Sequence, residues 1–413
     1  MFGLTYHRAY RSNLIPFAVA VSGKFNSGRK TKLTPLRLTN VGGAAASISF
    51  DNSFNGRATT LQYRRDEQQA FVDWDLSTIT IAPGEYVEFV GENYNTQGFL
   101  GRYHITGESV AASGNIMSLI YGEKTAQDFL VIPEGIRFSD GSYYGMFSDC
   151  TCLTSAPSMP ATTLTEWCYA GMFSGCSSLV TPPVLPATIL KTRCYYKMFD
   201  GCSSLTTAPE LPATTLAAHC YGTMFSDCTS LTDAPELPAT TLAESCYGYM
   251  FFGCTSLTVP PALPAIELAT YCYGYMFQNC TSLTYAPGLP ATTLADWCYA
   301  SMFYGCTSLK TAPELPATIL AYGCYSGMFV NCSDISAVEL PATELLDECY
   351  ASMFNNCTSL TSLIVGFSEW LYGATSSWLE RVDASGTFTC PSDLDTTQRG
   401  ADYIPEGWNV VTV

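Results

Sequence analysis

The chain has 413 residues, 47% of them hydrophobic, and a formal net charge of −17 with a pI near 4.5. A surface of that sign repels phosphate backbones, which excludes nucleic acid as an expected partner. No apolar run approaches the roughly 20 residues that a membrane-spanning helix needs, so we predict no membrane span. The length leaves room for two or three domains.

Residues 1–34 form a basic segment in this acidic chain, since no Asp or Glu occurs before residue 51. We predict a docking arm that binds an acidic partner, although a solvated leader before the first domain explains the charge equally well. A short apolar run at residues 14–21 is interrupted by Pro16, so we expect an uncleaved start rather than a signal peptide. The basic residues assigned to the arm are Arg8, Arg11, Lys24, Arg29, Lys30, Lys32 and Arg37.

Residues 35–122 alternate apolar and polar side chains in short runs separated by turn residues such as Pro83-Gly84. This pattern predicts a small antiparallel β-sandwich domain. The predicted strands are residues 36–38, 47–50, 60–64, 79–81, 86–90 and 103–106.

Residues 123–366 repeat one phrase whose register is marked by a Met-Phe pair. The pairs are 26 residues apart, with a last step of 25: Met146, Met172, Met198, Met224, Met250, Met276, Met302, Met328 and Met353. A fixed period predicts a solenoid, here of nine rungs that stack to close a shared core. We expect a degenerate rung at 123–145 and a C-terminal cap at 367–413, because open core edges aggregate.

Each copy contains a constant set of Leu, Ala, Cys, Tyr, Met and Phe, which we predict to face inward. The segment Leu-Thr-x-Ala-Pro predicts a short strand, and Cys-Tyr-x-x-Met-Phe-x-x-Cys predicts a helical turn, because Tyr, Met and Phe recur at about three-residue spacing. The fold class expected from these features is mixed α+β. The constant Tyr of each copy predicts a ladder of stacked rings.

Seventeen of the 19 Cys form two ladders, four residues before and four residues after each Met. Buried free thiols explain ladders at core positions best, and a disulfide between the two Cys of one copy is the alternative. Ladders of equal pitch do not converge as metal ligands must, so we predict no metal site.

No motif for catalysis or cofactor binding is present, and we predict a protein that is not an enzyme and has no cofactor. The three His are scattered, and His219 is expected to be exposed. A pair of carboxylates from different rungs, such as a glycosidase needs, stays open as an alternative.

Three columns of variable residues run along the repeats, and we predict that they form the outer surface. The first outer column precedes the first Cys of each copy, the second precedes Met, and the third follows Phe. Aromatic side chains that concentrate there suit sugars as well as proteins. The candidate face comprises Trp167, Arg193, Tyr249, Tyr271, Tyr275, Trp297, Phe252 and Tyr304.

The phrase Met-Phe-x-x-Cys-Thr-Ser-Leu, followed by a Leu-Pro corner, resembles the BspA-type leucine-rich repeat over roughly residues 130–366. This chain differs in carrying a second Cys where an Ile is usual. The segments Leu61-Gln-Tyr and Ala82-Pro-Gly-Glu-Tyr-Val resemble a module that precedes such repeats in proteins of gut bacteria and their phages.

This resemblance implies a virion fibre or capsid decoration protein at the virion surface, present as a homo-oligomer or in multiple copies. Its N-terminal region would bind other virion proteins, and its solenoid a host-surface glycan or protein. An exported bacterial surface adhesin is the alternative, and a glycan-active enzyme is a further one.

Overall fold

The computed structural model describes residues 33–52, 59–93, 99–122 and 141–413, and from residue 33 onward these belong to one compact unit. The described residues contain thirteen β-strands and a single α-helix, α1 (Ser118–Tyr121). The protein is therefore mostly β, and the expected mixed α+β class is wrong.

Residues 36–113 contain eight β-strands, and these include all six that the alternation of apolar and polar residues predicted. They form a three-stranded sheet of order β5-β2-β7 and part of a six-stranded sheet of order β4-β3-β6-β1-β8-β9. The strands are β1 (Leu36–Asn40), β2 (Ala46–Asp51), β3 (Leu61–Arg64), β4 (Val72–Asp73), β5 (Ile79–Ile81), β6 (Tyr86–Gly91), β7 (Arg102–Thr106) and β8 (Val110–Ser113).

Arg37, which was grouped with the docking arm, lies in β1. Its guanidinium donates to the buried carboxylate of Glu88 at 2.7 Å and also pairs with Glu67. Because its charge is matched within the sheet, Arg37 belongs to the folded domain and not to an arm. The other six basic residues of the predicted arm lie outside the described residues.

Within each rung, alternate backbone amides donate in two different directions. The amide of Met172 donates to the carbonyl of Tyr169, three residues back, at 3.3 Å, whereas the amide of Phe173 donates to Met198 in the next rung at 2.9 Å. An α-helix needs every amide to donate four residues back. Because half of the amides bind the following rung, the predicted helical turn is wrong, and the segment is a series of β-turns.

Three residues of each rung from Met172 to Met353, spaced about four positions apart, adopt positive φ, and two do so in the rung of Met146. In the rung of Met172 they are Trp167 (58°), Gly171 (60°) and Gly175 (74°). The third position, three residues after Met, holds only Gly, Asn or Asp in the nine repeats, the residues that adopt this conformation most readily. The first two positions coincide with the first and second outer columns and accept Trp, Tyr, Arg and His.

The substitution Gly171→Ala tests this backbone strain. A Cβ at residue 171 meets no atom within 4 Å, so the positive φ alone should lower the free energy of unfolding by about 1 kcal/mol. Gly288→Ala is the control, because its Cβ also meets no atom and its φ lies outside the left-handed region. Urea denaturation should find the control unchanged or slightly stabilised, and equal losses for the two variants would contradict the strain.

The constant residues form continuous ladders through the core, as predicted. Phe251 stacks between Phe225 and Phe277 at centroid distances of 5.7 and 5.6 Å, and successive repeat Tyr rings stack in the same way. All nineteen Cys are free and buried, so the disulfide alternative is not realised. The thiol of Cys254 contacts the carbonyl oxygen of Phe225 in the preceding rung at 3.0 Å, and this contact recurs along the ladder.

The N-terminal sheets supply the layer that precedes the first rung. The Tyr103 ring of β7 stacks on Phe147 at 5.3 Å, and the Tyr103 amide donates to the carbonyl of Met146 at 2.7 Å. Strand β8 pairs in parallel with β9 (Leu153–Ser155), the first strand of the repeats. The sheet region and the repeats therefore share one core. Most of the degenerate rung expected at 123–145 lies outside the described residues.

Beyond the nine Met-Phe pairs the structure contains a tenth coil, which the sequence motif did not reveal. Trp378 occupies the Met position, and its ring stacks on that of Tyr350 with the centroids 6.2 Å apart. Its backbone carbonyl accepts a hydrogen bond from the amide of Phe354 at 2.9 Å. Ser377 has the positive φ of its column. A parallel sheet of order β10-β11-β12-β13 closes this end: β10 (Ala337–Leu340), β11 (Ser362–Val365), β12 (Thr387–Cys390) and β13 (Asn409–Thr412). Residues 367–413 thus extend the stack as well as cap it.

Candidate functional site

The outer columns bring several of the predicted residues together in one aromatic group. Tyr249 and Tyr275, successive members of the second outer column, stack at 4.4 Å with their planes 3° apart. Phe252 of the third column lies 6.2 Å from Tyr249. Tyr249 is 40% exposed, and the other two are half-buried. These rings form an aromatic cluster on the turn side of the solenoid.

A second group contains two predicted residues and one that the sequence did not reveal. Tyr271 and Trp297 of the first outer column stack at 5.7 Å, and the ring of Tyr322 meets Trp297 at 5.0 Å and 90°. The Tyr322 hydroxyl donates to the Glu348 carboxylate at 3.1 Å, and its amide donates to Asp296 Oδ1 at 3.1 Å. Tyr322 occupies a column that elsewhere holds Glu, Thr, Ala or Asp, so no pattern marked it.

The two groups adjoin each other, and together we call them the aromatic band: Tyr249, Phe252, Tyr271, Tyr275, Trp297 and Tyr322. Burial first, and then the neighbouring Tyr275, raises the pKa of the Tyr249 phenol to about 12. Burial raises the pKa of Tyr271, and the phenol of Tyr275 and the carboxylate of Glu348 contribute to the same shift. The phenols of Tyr249 and Tyr271 are therefore neutral near pH 7 and can act as hydrogen-bond donors.

The remaining predicted residues lie outside the aromatic band. Trp167 and Arg193 form a separate pair nearer the N-terminus, with the guanidinium carbon 4.8 Å from the indole centroid. Tyr304 is half-buried in the third column and makes no ring contact with any described residue. His219 is half-buried rather than exposed, and burial, followed by the positive charge of Arg193, lowers its pKa.

The buried thiols do not supply a nucleophile. Burial raises the pKa of Cys168 to about 12 and that of Cys306 to about 12, so both are protonated at neutral pH. Within the described ranges, no three His, Cys, Asp or Glu side chains converge as metal ligands would. The same part of the chain contains no helix long and apolar enough to cross a membrane.

Stability alone does not account for the aromatic side chains of the first two outer columns. Tyr249, Tyr271, Tyr275 and Trp297 have φ between 54° and 59°, a conformation that costs a non-glycine residue about 1 kcal/mol or more. The same columns contain Gly at 171, 323 and 327, where that cost is absent. The same φ occurs at Lys197, Thr223 and Ser301, so the rung geometry imposes this cost and does not itself require an aromatic side chain.

The repeat region also matches a known family. A family model described as a BspA type leucine rich repeat region matches six copies, over residues 143–284, 267–372 and 298–396. Together these matches cover residues 143–396, which is more than half of the chain and extends into the tenth coil. A comparison with curated proteins finds no match.

Proposed function

Since the chain belongs to the BspA-type leucine-rich repeat family, whose repeats indicate a surface or recognition protein, we propose that its solenoid binds a partner through the aromatic band. The observation that carries this proposal is the clustering of partly exposed aromatic side chains on the turn side of the stacked rungs. Aromatic rings at the centre of an interface contribute a large share of binding energy, and their faces also stack on sugars.

We propose further that the protein is a non-enzymatic component of a phage virion, either a fibre or a capsid decoration protein. In that setting the basic arm of residues 1–34 and the domain of residues 35–122 attach it to the particle. The repeats of residues 123–366 then present the aromatic band to a host-surface glycan or protein. The order of the regions supports this arrangement, because the N-terminal sheets cover one end of the stack and leave its turn side open.

A bacterial surface adhesin uses the same recognition face, so location separates the two proposals. Antibodies against the purified chain should label intact virions. Labelling of bacterial cells that carry no phage would instead support the adhesin.

Replacing Tyr249, Tyr275 and Trp297 together with Ala should weaken binding to host cells at least about tenfold, as loss of central aromatic contacts does. The measurement is binding of the fluorescently labelled full-length protein to cells. Tyr285→Ala is the control, because Tyr285 is exposed but lies on the extended segment away from the aromatic band. Unchanged binding by the triple variant, with circular dichroism showing intact folding, would refute the aromatic band as the recognition face.

A further inference from the structure

The first outer column contains one contact between an aromatic ring and a cationic side chain. Trp167 is followed one rung later by Arg193, whose guanidinium carbon lies 4.8 Å from the indole centroid. Such a contact is a cation–π interaction, which is strongest on Trp. The side chains of this column are therefore placed so that an indole and a guanidinium meet at the spacing of one rung.

Trp297 stands in the same column, but the next rung supplies no cation. Its successor is Gly323, and the indole leans over it, since a Cβ there would lie 2.6 Å from Trp297 Cε3. No Lys or Arg of the described residues lies over Trp297, Tyr271 or Tyr322. Tyr271 stacks on one face of Trp297, and Gly323 and the Tyr322 ring lie on its other side, so Tyr322 is the exposed aromatic residue of this group.

The Glu348 carboxylate lies beside the hydroxyl of the Tyr322 ring, where it can pair with a cation bound to that ring. Glu348 follows Gly323 in the same column, one rung further on, and accepts the Tyr322 hydroxyl at 3.1 Å. Its carboxylate therefore lies beside the hydroxyl of Tyr322, a residue that is 38% exposed. Asp296 lies at the opposite side of the same residue, where it accepts the Tyr322 amide at 3.1 Å.

The wider surface has the same sign. Residues 198–380 contain sixteen Asp and Glu, and Lys310 is their only Lys or Arg. Such a field attracts cationic groups and repels anionic polymers such as sulfated or phosphorylated glycans.

We propose that the group Tyr271, Trp297, Tyr322 and Glu348 binds an arginine side chain of a partner protein. The guanidinium stacks on the exposed ring of Tyr322, which Trp297 holds in place, and pairs with the Glu348 carboxylate. A planar guanidinium suits this group better than an ammonium, because it stacks on rings while its edge donates hydrogen bonds to a carboxylate. The site deepens the proposed recognition role by naming an arginine-bearing polypeptide as the ligand of the aromatic band.

Titration calorimetry of the full-length protein with a heptaarginine amide tests the site, and heptalysine amide serves as the charge-matched probe. We expect Glu348→Gln and Tyr322→Leu each to weaken heptaarginine binding about tenfold. Glu236→Gln removes the same charge at an exposed residue outside the aromatic band and should change the affinity less than about twofold. Heptalysine should bind more weakly than heptaarginine.

Three results would overturn the site: no binding of heptaarginine, equal losses for Glu348→Gln and Glu236→Gln, or equal affinity for the two peptides. The last two would show that only the overall charge attracts the peptide. Host-cell binding that persists while heptaarginine fails to bind would leave the recognition role standing and remove the arginine site alone.

Discussion

Raising the pH from 8 to about 10 should unfold the repeat region, because its core contains many thiols and phenols, which are weak acids. Deprotonation gives these groups a charge that the buried core does not accommodate. Burial raises the pKa of the ladder thiols, for example to about 12 for Cys246 and Cys306, and raises those of the repeat tyrosines well above the usual value. In the unfolded chain these groups ionise near pH 9 and 10. Their folded pKa values are higher than the unfolded ones, so their contribution is complete below about pH 9 and is lost as the pH rises toward the folded values.

The size of this effect follows from the number of thiols. Above its unfolded pKa, each group whose pKa is raised by folding lowers the free energy of unfolding by about 1.4 kcal/mol per pH unit. The seventeen ladder thiols together lower it by on the order of 20 kcal/mol per pH unit. That exceeds the total stability of about 5–15 kcal/mol typical of a folded domain. The transition should therefore lie between about pH 9 and 10.

Circular dichroism after long incubation at each pH, approached from both directions, measures the transition. Iodoacetamide labelling provides an independent readout, since the thiols should be unreactive at pH 8 and fully reactive beyond the transition. A folded spectrum with unlabelled thiols at pH 11 would contradict the expected transition.

The second large effect concerns two adjacent phenylalanines with opposite environments. Phe251 is completely buried between two stacked rings, whereas its neighbour Phe252 is half-buried on the outer face. Phe251→Ala should lower the free energy of unfolding by about 3–5 kcal/mol, through lost burial and the cavity it leaves. Phe252→Ala removes the same atoms and should cost about 1 kcal/mol or less.

Urea denaturation followed by circular dichroism compares the two variants. Because stability in a solenoid depends on contacts between neighbouring rungs, Phe251→Ala should also broaden or split the transition at that rung. Similar losses for the two variants would mean that the ring ladder does not define the core.

The inward half of each rung could be predicted from the sequence because repetition itself carries the information. A residue that faces an identical residue in the next rung must match its size, so Met250, Phe251 and Cys254 marked the core without any structure. The strands of residues 36–106 were equally visible, because one face of each is buried and the side chains alternate. The very short β4 and the partly buried β8 lacked that signal.

The turns could not be predicted, because the three-residue spacing of Tyr, Met and Phe fits a helix and a series of β-turns equally well. Only the destination of alternate amides separates the two, and that depends on the neighbouring rung. The backbone conformation of Trp297 and Tyr275 was hidden for the same reason, since bulky residues do not indicate positive φ. Ala374 and Trp378 replace Cys and Met in the tenth coil, so the motif ended before the stack did.

The turn-side bonds between rungs all run one way, from amide to the carbonyl of the following copy, from Tyr143 to Asn356. Each copy therefore presents amide donors to the following copy and carbonyl acceptors to the preceding copy. Adding or deleting one whole copy leaves an acceptor opposite every donor at both new junctions, whereas a partial copy would shift the amide donors out of register with the carbonyl acceptors. Recombination between repeats can thus lengthen or shorten the molecule, and shuffle the residues it displays, without rebuilding its interior.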